Sequence, residues 1–211
     1  MHTRTLSTVR TAPRPAGRSA LTVLMQSALL LGLLLIVGHV SALEFNQVQT
    51  NESTVTFGYR QMGVTLDGKF DKFTARVAFD PAKPTLARAN IDIDVTSIDA
   101  GSADANEEVV KKLWFNAAVF PVASFASAGI KALGGNRYEA SGKLSIKGRT
   151  RDVTMPVTFR TVGTRGIFEG SFAIKRLDYG IGEGIWADVG TVEDEIKIMF
   201  HVVVNASPSK K

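Results

Sequence analysis

Between Thr54 and Val204 the chain alternates apolar and polar side chains with a period of two. Val55, Phe57 and Tyr59 interleave with Thr54, Thr56 and Gly58, and Phe73, Ala75, Val77 and Phe79 with Lys72, Thr74 and Arg76. Ile91, Ile93 and Val95 alternate with Asn90, Asp92 and Asp94, and Tyr138, Ala140, Gly142, Leu144 and Ile146 with Arg137, Glu139, Ser141 and Lys143. The rows Val153–Phe159, Phe168–Ile174 and Ile196–Val204 repeat the pattern. Successive side chains of a strand point to opposite faces, so each row predicts a strand with one buried face. A further strand around 122–130 brings the number to about eight. "DPAKP" at 80–84 and "LGGN" at 133–136 are turn chemistry, and "KGRT" at 147–150 is short enough to make its flanking strands a hairpin. Such strands form a sandwich or a barrel. The barrel is preferred, because several strands run to roughly ten residues and closure leaves no edge to aggregate. The predicted fold is all-β, an eight-stranded antiparallel barrel.

One stretch breaks the rhythm. Residues 103–113, "ADANEEVVKKL", predict the single short helix, with Ser102 or Asp104 as its cap. Glu107 and Lys111, like Glu108 and Lys112, are four apart with the acid first, the favourable order on a solvated face. Val109, Val110 and Leu113 turn the other way. Trp114, Phe115, Phe120 and Phe125 then crowd around Pro121, which breaks a helix and is tolerated at the first position of a strand. The segment reads as a lid. The helix leaves the wall, Trp114 and Phe115 fold across one opening, and Phe125 joins the inner face. Ordinary core filling by Trp114 and Phe115 is the alternative. The inward rows also contain Ala75, Ala140, Gly142 and Gly170. Small side chains leave space that large ones would fill, and a small barrel can hold one ligand in such a space.

Charge changes the picture only through the leader. Residues 1–20 carry Arg4, Arg10, Arg14 and Arg18 and no acid; "LTVLMQSALLLGLLLIVG" and then "VSA" at 40–42 follow. That order predicts a secretory signal over 1–42, cleaved after Ala42 on export. An uncleaved anchor is the alternative, since about 18 apolar residues just span a bilayer. Without the leader the formal charge falls from +5 (25 basic, 20 acidic) to +1 (21 basic, 20 acidic). The domain then lacks the cationic excess that nucleic-acid binding requires. The chain has no cysteine, which excludes disulfides, thiol catalysis and thiolate metal sites. The domain is expected over 43–205, with a disordered tail at 206–211.

Candidate chemistry is sparse. His201, the one histidine beyond the leader, is out of phase with Phe200 and Val202 and reads as outward-facing. No Gly-flanked serine accompanies it, so a Ser-His-Asp set is not assembled. Asp92 and Asp94 read as the polar side of a strand rather than as ligands for a hard cation. "YGIGEG" at 179–184 is followed by no convincing helix, so it reads as a loop rather than a dinucleotide fingerprint. In "KRLDYG" at 175–180, Arg176 and Asp178 could form a pair that orients a polar head group at a barrel mouth. An exposed pair of little consequence is the alternative. No catalytic residue and no metal ligand is assigned, and the protein is read as a non-enzyme.

The stretches "STVTFGYRQMGVTLDGKFDKFTARVAFDP", "IDVTSIDAGSADANEEV", "LWFNAAVFPVASFAS", "YEASGKLSIKGRTRDVTMPVTF" and "KRLDYGIGEGIWADVGTVEDEIKI" occur in this order. Together, over about residues 46–204, they closely resemble the YceI-like family of exported proteins. The specific motifs are G-x-F at 68–70, F-P-x-x-x-F at 120–125 and G-x-L-x-I-K-G-x-T-R at 142–151. The resemblance implies a lipocalin-like barrel enclosing a long polyisoprenoid, such as an isoprenoid quinone or a prenyl-phosphate lipid, and no catalytic cofactor. It also implies transient contact with the inner membrane or a membrane cytochrome; a homodimer is left open. Where many members carry Asp-x-x-His-Ser this chain has Asn51, Glu52 and Ser53, and where many have histidine it has Gln61, so the resemblance leaves the identity of the head group open. The candidate ligand-binding residues are the inward aromatics Phe57, Tyr59, Phe79, Trp114, Phe115, Phe125 and Phe172, with Arg176 and Asp178 for the head group. A head-group-modifying enzyme using Arg176, Asp178 or Asp188, and a stress-related scaffold on a membrane cytochrome, are the competing functions.

Overall fold

The computed structural model describes residues 43–208. The expected signal at 1–42 and the end of the expected tail, 209–211, lie outside the described residues. Eleven strands and one α-helix follow one another: β1 (Leu43–Val48), β2 (Thr54–Gln61), β3 (Val64–Phe70), β4 (Phe73–Ala78), β5 (Arg88–Asp94), β6 (Ile98–Asp99), α1 (Ala103–Val109), β7 (Val122–Gly134), β8 (Arg137–Ile146), β9 (Arg149–Val162), β10 (Arg165–Lys175) and β11 (Glu195–Pro208). They form one antiparallel sheet in the order β4-β5-β7-β8-β9-β10-β11-β2-β3-β6, with β1 continuing along the edge of β11 beyond β2. The sheet curls into a half-barrel. At one end the curl is stitched across by Phe45 and Phe79, whose backbones exchange hydrogen bonds of 2.9 and 3.1 Å.

The expected strands all form, and three more appear. β3 carries the same alternation, with Leu66, Gly68 and Phe70 half-buried and Asp67 and Lys69 exposed. Its turn, Met62-Gly63, has both residues left-handed (φ 51° and 80°), the twist that suits a two-residue hairpin, but lacks the usual Asn or Asp. β1 and β6 are short pieces fixed by their partners, β11 and β3. β11 also runs three residues past 205: Ala206 pairs with Phe45, and the Ser207 hydroxyl donates to the Asn46 side-chain carbonyl at 2.8 Å.

α1 is shorter than predicted. The Ser102 hydroxyl caps it, accepting from the Ala105 N–H at 3.2 Å. The helix stops at Val109, so Lys111 and Lys112 lie beyond it, and Glu108 pairs with Lys111 at 2.8 Å instead of with Lys112. The physical reason is burial. β-branched Val109 and Val110 weaken the helix, and the chain leaves it to put Trp114 (8% exposed) and Ala117 (5%) into the core.

The glycines of the inward rows have a different role from the one expected. A methyl on Gly142 would strike the Phe125 ring and the Ala126 carbonyl, and one on Gly170 the Phe200 ring and the Pro156 carbonyl. These glycines seat aromatic rings flat against the wall; they do not themselves create the open space. Gly142→Ala is expected to lower stability by about 1–3 kcal/mol, because the ring above it must leave its rotamer well. Urea unfolding measures this, and an unchanged midpoint would show that the ring has room to move.

Candidate functional site

The inner face of the curl encloses a cavity of about 610 Å³. Its floor is an aromatic cluster: Phe79, 1% exposed, packs its ring 4.8 Å from Phe159 and 5.1 Å from Phe168. β2 contributes Phe57 and Tyr59 to the wall, β7 Phe125, and β10 Phe172. A run of rings, Phe57–Phe70 at 5.4 Å and Phe70–Phe115 at 6.4 Å, carries the wall toward α1. The Tyr59 hydroxyl donates to the Ala100 carbonyl at 2.9 Å, which ties β2 to the segment leading into α1. Burial pushes the Tyr59 pKa up, so the phenol stays a donor.

Of the nine residues singled out in the sequence, Phe57, Tyr59, Phe79, Trp114, Phe115, Phe125, Phe172 and Arg176 line this cavity. Asp178 does not. β10 ends at Lys175, and Arg176–Tyr179 is a 3-10 turn. Two residues apart on a strand share a face, whereas two apart in a turn of three diverge. The Asp178 carboxylate therefore sits at the surface, 3.9 Å from Arg151, and the expected Arg176–Asp178 pair is not formed.

Arg176 is fully buried and makes five hydrogen bonds, all to backbone carbonyls. Nε donates to Glu193 (3.1 Å), Nη1 to Ile181 (2.9 Å) and Gly182 (3.1 Å), and Nη2 to Trp186 (2.8 Å) and Val192 (2.7 Å). A guanidinium has five N–H groups, so none is left over. Burial lowers the Arg176 pKa, and Asp194 and Asp188 oppose the shift. "YGIGEG" is built around this side chain. Gly182 is left-handed (φ 78°), and a methyl there would collide with the guanidinium. Trp114 covers the cation, its ring centroid 5.6 Å from the guanidinium carbon.

Trp114 thus fills core and lines the cavity at once. It packs on Trp186, ring centroids 5.4 Å apart. Beside the indoles lies Glu108 of α1, which accepts from Trp186 Nε1 at 3.1 Å. The Trp114 N–H, buried beside the same carboxylate, does not reach hydrogen-bonding geometry and has no partner. Ser102 and Asp104, exposed members of the lining, mark a mouth at this end, with Gln61, Glu108 and Trp186 around it. Arg88, also exposed, lines the cavity at the start of β5. Gln61, noted in the sequence only as the place of a family histidine, continues the inward row Val55, Phe57, Tyr59 by the same period. Glu108 and Trp186 had no periodic signal, because their meeting depends on how α1 and the 184–187 turn pack. His201 bonds Glu169 at 2.9 Å, and Asp94 accepts from Thr96 at the edge of β5.

A curled antiparallel sheet around an apolar hollow, with a short helix at its mouth, is the architecture of a lipocalin-like binding protein. The chain belongs to the YceI-like family, whose domain it matches over residues 47–204. Its fold is similar to the crystal structure of Burkholderia cenocepacia BcnA, with a TM-score of 0.73 and 43% identity over 74% of this chain and 99% of that one. A UPF0312 protein of Azotobacter vinelandii is 28% identical over 155 residues, 70% of this chain and 79% of the relative. A polyisoprenoid-binding domain from Saccharophagus degradans, implicated in plant cell wall breakdown, shares the fold with a TM-score of 0.59 and 18% identity, over 79% of this chain and 99% of that one.

Proposed function

We propose that this protein encloses a polyisoprenoid lipid, an isoprenoid quinone or a prenyl phosphate, in its apolar hollow and carries it in the periplasm without transforming it. The observation that carries this reading is the cavity of about 610 Å³ walled by aromatic and aliphatic side chains. Benzene occupies an apolar protein cavity of about 150 Å³, so this one has room for roughly 24 carbon atoms, about five isoprene units. A chain burying roughly 600 Å² gains about 15 kcal/mol gross. Ordering the chain removes a large part of that, and micromolar binding needs only about 8 kcal/mol. The polyisoprenoid-binding relative supports the ligand class, and the signal pattern at 1–42 supports the location. Met62 and Ile185, 77% and 80% exposed, adjoin Gln61 and Trp186 of the mouth in sequence and present apolar side chains to an inner-membrane surface during loading.

Solvent extraction of the purified protein followed by mass spectrometry is expected to yield a prenyl lipid. Stripped protein is expected to take up a prenyl quinone from vesicles. A protein that is empty as isolated and ignores the offered quinone would be no carrier of this class.

A further inference from the structure

We propose that the mouth beside α1 admits an uncharged head group and rejects a phosphorylated one, with Glu108 and Asp104 as the residues that discriminate. This deepens the prenyl-lipid reading and rests on it. The cation that lines this end, Arg176, has all five N–H groups committed to the carbonyls of Ile181, Gly182, Trp186, Val192 and Glu193. A phosphate drawing on it would orphan buried carbonyls and undo the 181–193 loop. The other charged side chains lining this end are both acids, Asp104 and Glu108.

Glu108 is held in place from two sides, by the Lys111 ammonium at 2.8 Å and by Trp186 Nε1 at 3.1 Å. Lys111 satisfies this carboxylate from the exposed side and does not line the cavity. A phosphate entering the mouth therefore meets carboxylates with no free guanidinium behind them. A like-charge approach of this kind selects by repulsion rather than by a better fit. A neutral head group meets a different partner, the Gln61 amide, which both donates and accepts. A quinone carbonyl or a prenol hydroxyl suits it. Among the described cavity-lining residues, Arg88, at the start of β5, is the cation left for a phosphate to meet, so it supplies the control.

The test compares a prenyl alcohol with its own monophosphate, matched to the cavity at about 25 carbons, by displacement of a bound fluorescent prenyl probe. The wild-type protein is expected to bind the alcohol about tenfold tighter or more. The double variant Asp104→Asn/Glu108→Gln is expected to close most of that gap by gaining phosphate affinity. Asp104→Asn alone, on the exposed first turn of α1, is expected to move the ratio the same way by less, which keeps the test if the double variant folds poorly. Equal or tighter binding of the phosphate by wild type overturns the proposal, as does a gap that the variants leave untouched. A phosphate preference that disappears in Arg88→Ala would place the head group beside Arg88 and overturn it too. If wild type binds neither compound, the prenyl-lipid reading itself fails.

Discussion

Arg176→Ala is expected to lower folding stability by about 3–5 kcal/mol, the range seen when one partner of a buried charged interaction is removed. The deletion leaves five carbonyls, of Ile181, Gly182, Trp186, Val192 and Glu193, without the donor around which their loop is wrapped. Each buried acceptor left unmet costs about 1–3 kcal/mol, reduced where water reaches it. Trp114 also loses the cation beneath its ring. The loss therefore spreads from the loop to the wall of the cavity. Arg176→Lys is expected to recover only a minority of it, since an ammonium has three donors and no planar fork. Asp178→Ala, two positions away and exposed, is expected to change stability by less than about 0.5 kcal/mol. Urea unfolding of the three variants measures all of this. Equal effects of Arg176→Ala and Asp178→Ala would mean that the cage contributes nothing.

This contrast also marks where sequence reasoning reached its limit. The rows Val55–Tyr59, Tyr138–Ile146 and Phe168–Ile174 were legible because a strand exposes its inner face at a fixed period, and all three face inward as read. Phe57, Tyr59 and Phe172, which stand on such rows, consequently line the cavity. The period fails where the strand fails. Arg176 and Asp178 lie one and three residues past the end of β10, and nothing in "KRLDYG" announces a 3-10 turn. The arginine's role was invisible for a second reason. Its partners are carbonyls, which every residue carries, so no side-chain motif encodes them. The three alternating glycines were the available trace, since left-handed residues at 180, 182 and 184 let a backbone close around a guanidinium. Gly142 and Gly170 teach the converse. In a strand row a glycine suggests space, but its neighbours' rings had already taken that space.

Phe172→Asp is expected to abolish prenyl-lipid uptake and to lower stability at neutral pH by roughly 2–4 kcal/mol. Phe172 stands on β10 opposite Ile198, between Gly170 and Ile174, and faces the hollow. No cation among the cavity-lining residues is free on this wall: Arg176 is saturated, and Arg88 lies at the start of β5. A carboxyl here is driven toward its neutral form, so its pKa in the folded state rises above the unfolded value of about 3.9. The folded variant then binds more protons than the unfolded chain at intermediate pH, and its stability falls as pH rises through that interval. The deficit relative to wild type is accordingly expected to be full at neutral pH and to shrink as pH drops toward about 4. A surface position would show no such recovery. Phe172→Leu serves as the apolar control, with uptake kept and a stability loss of about 1 kcal/mol. Normal lipid uptake by Phe172→Asp, with a stability deficit that does not depend on pH, would show that this wall does not face the ligand.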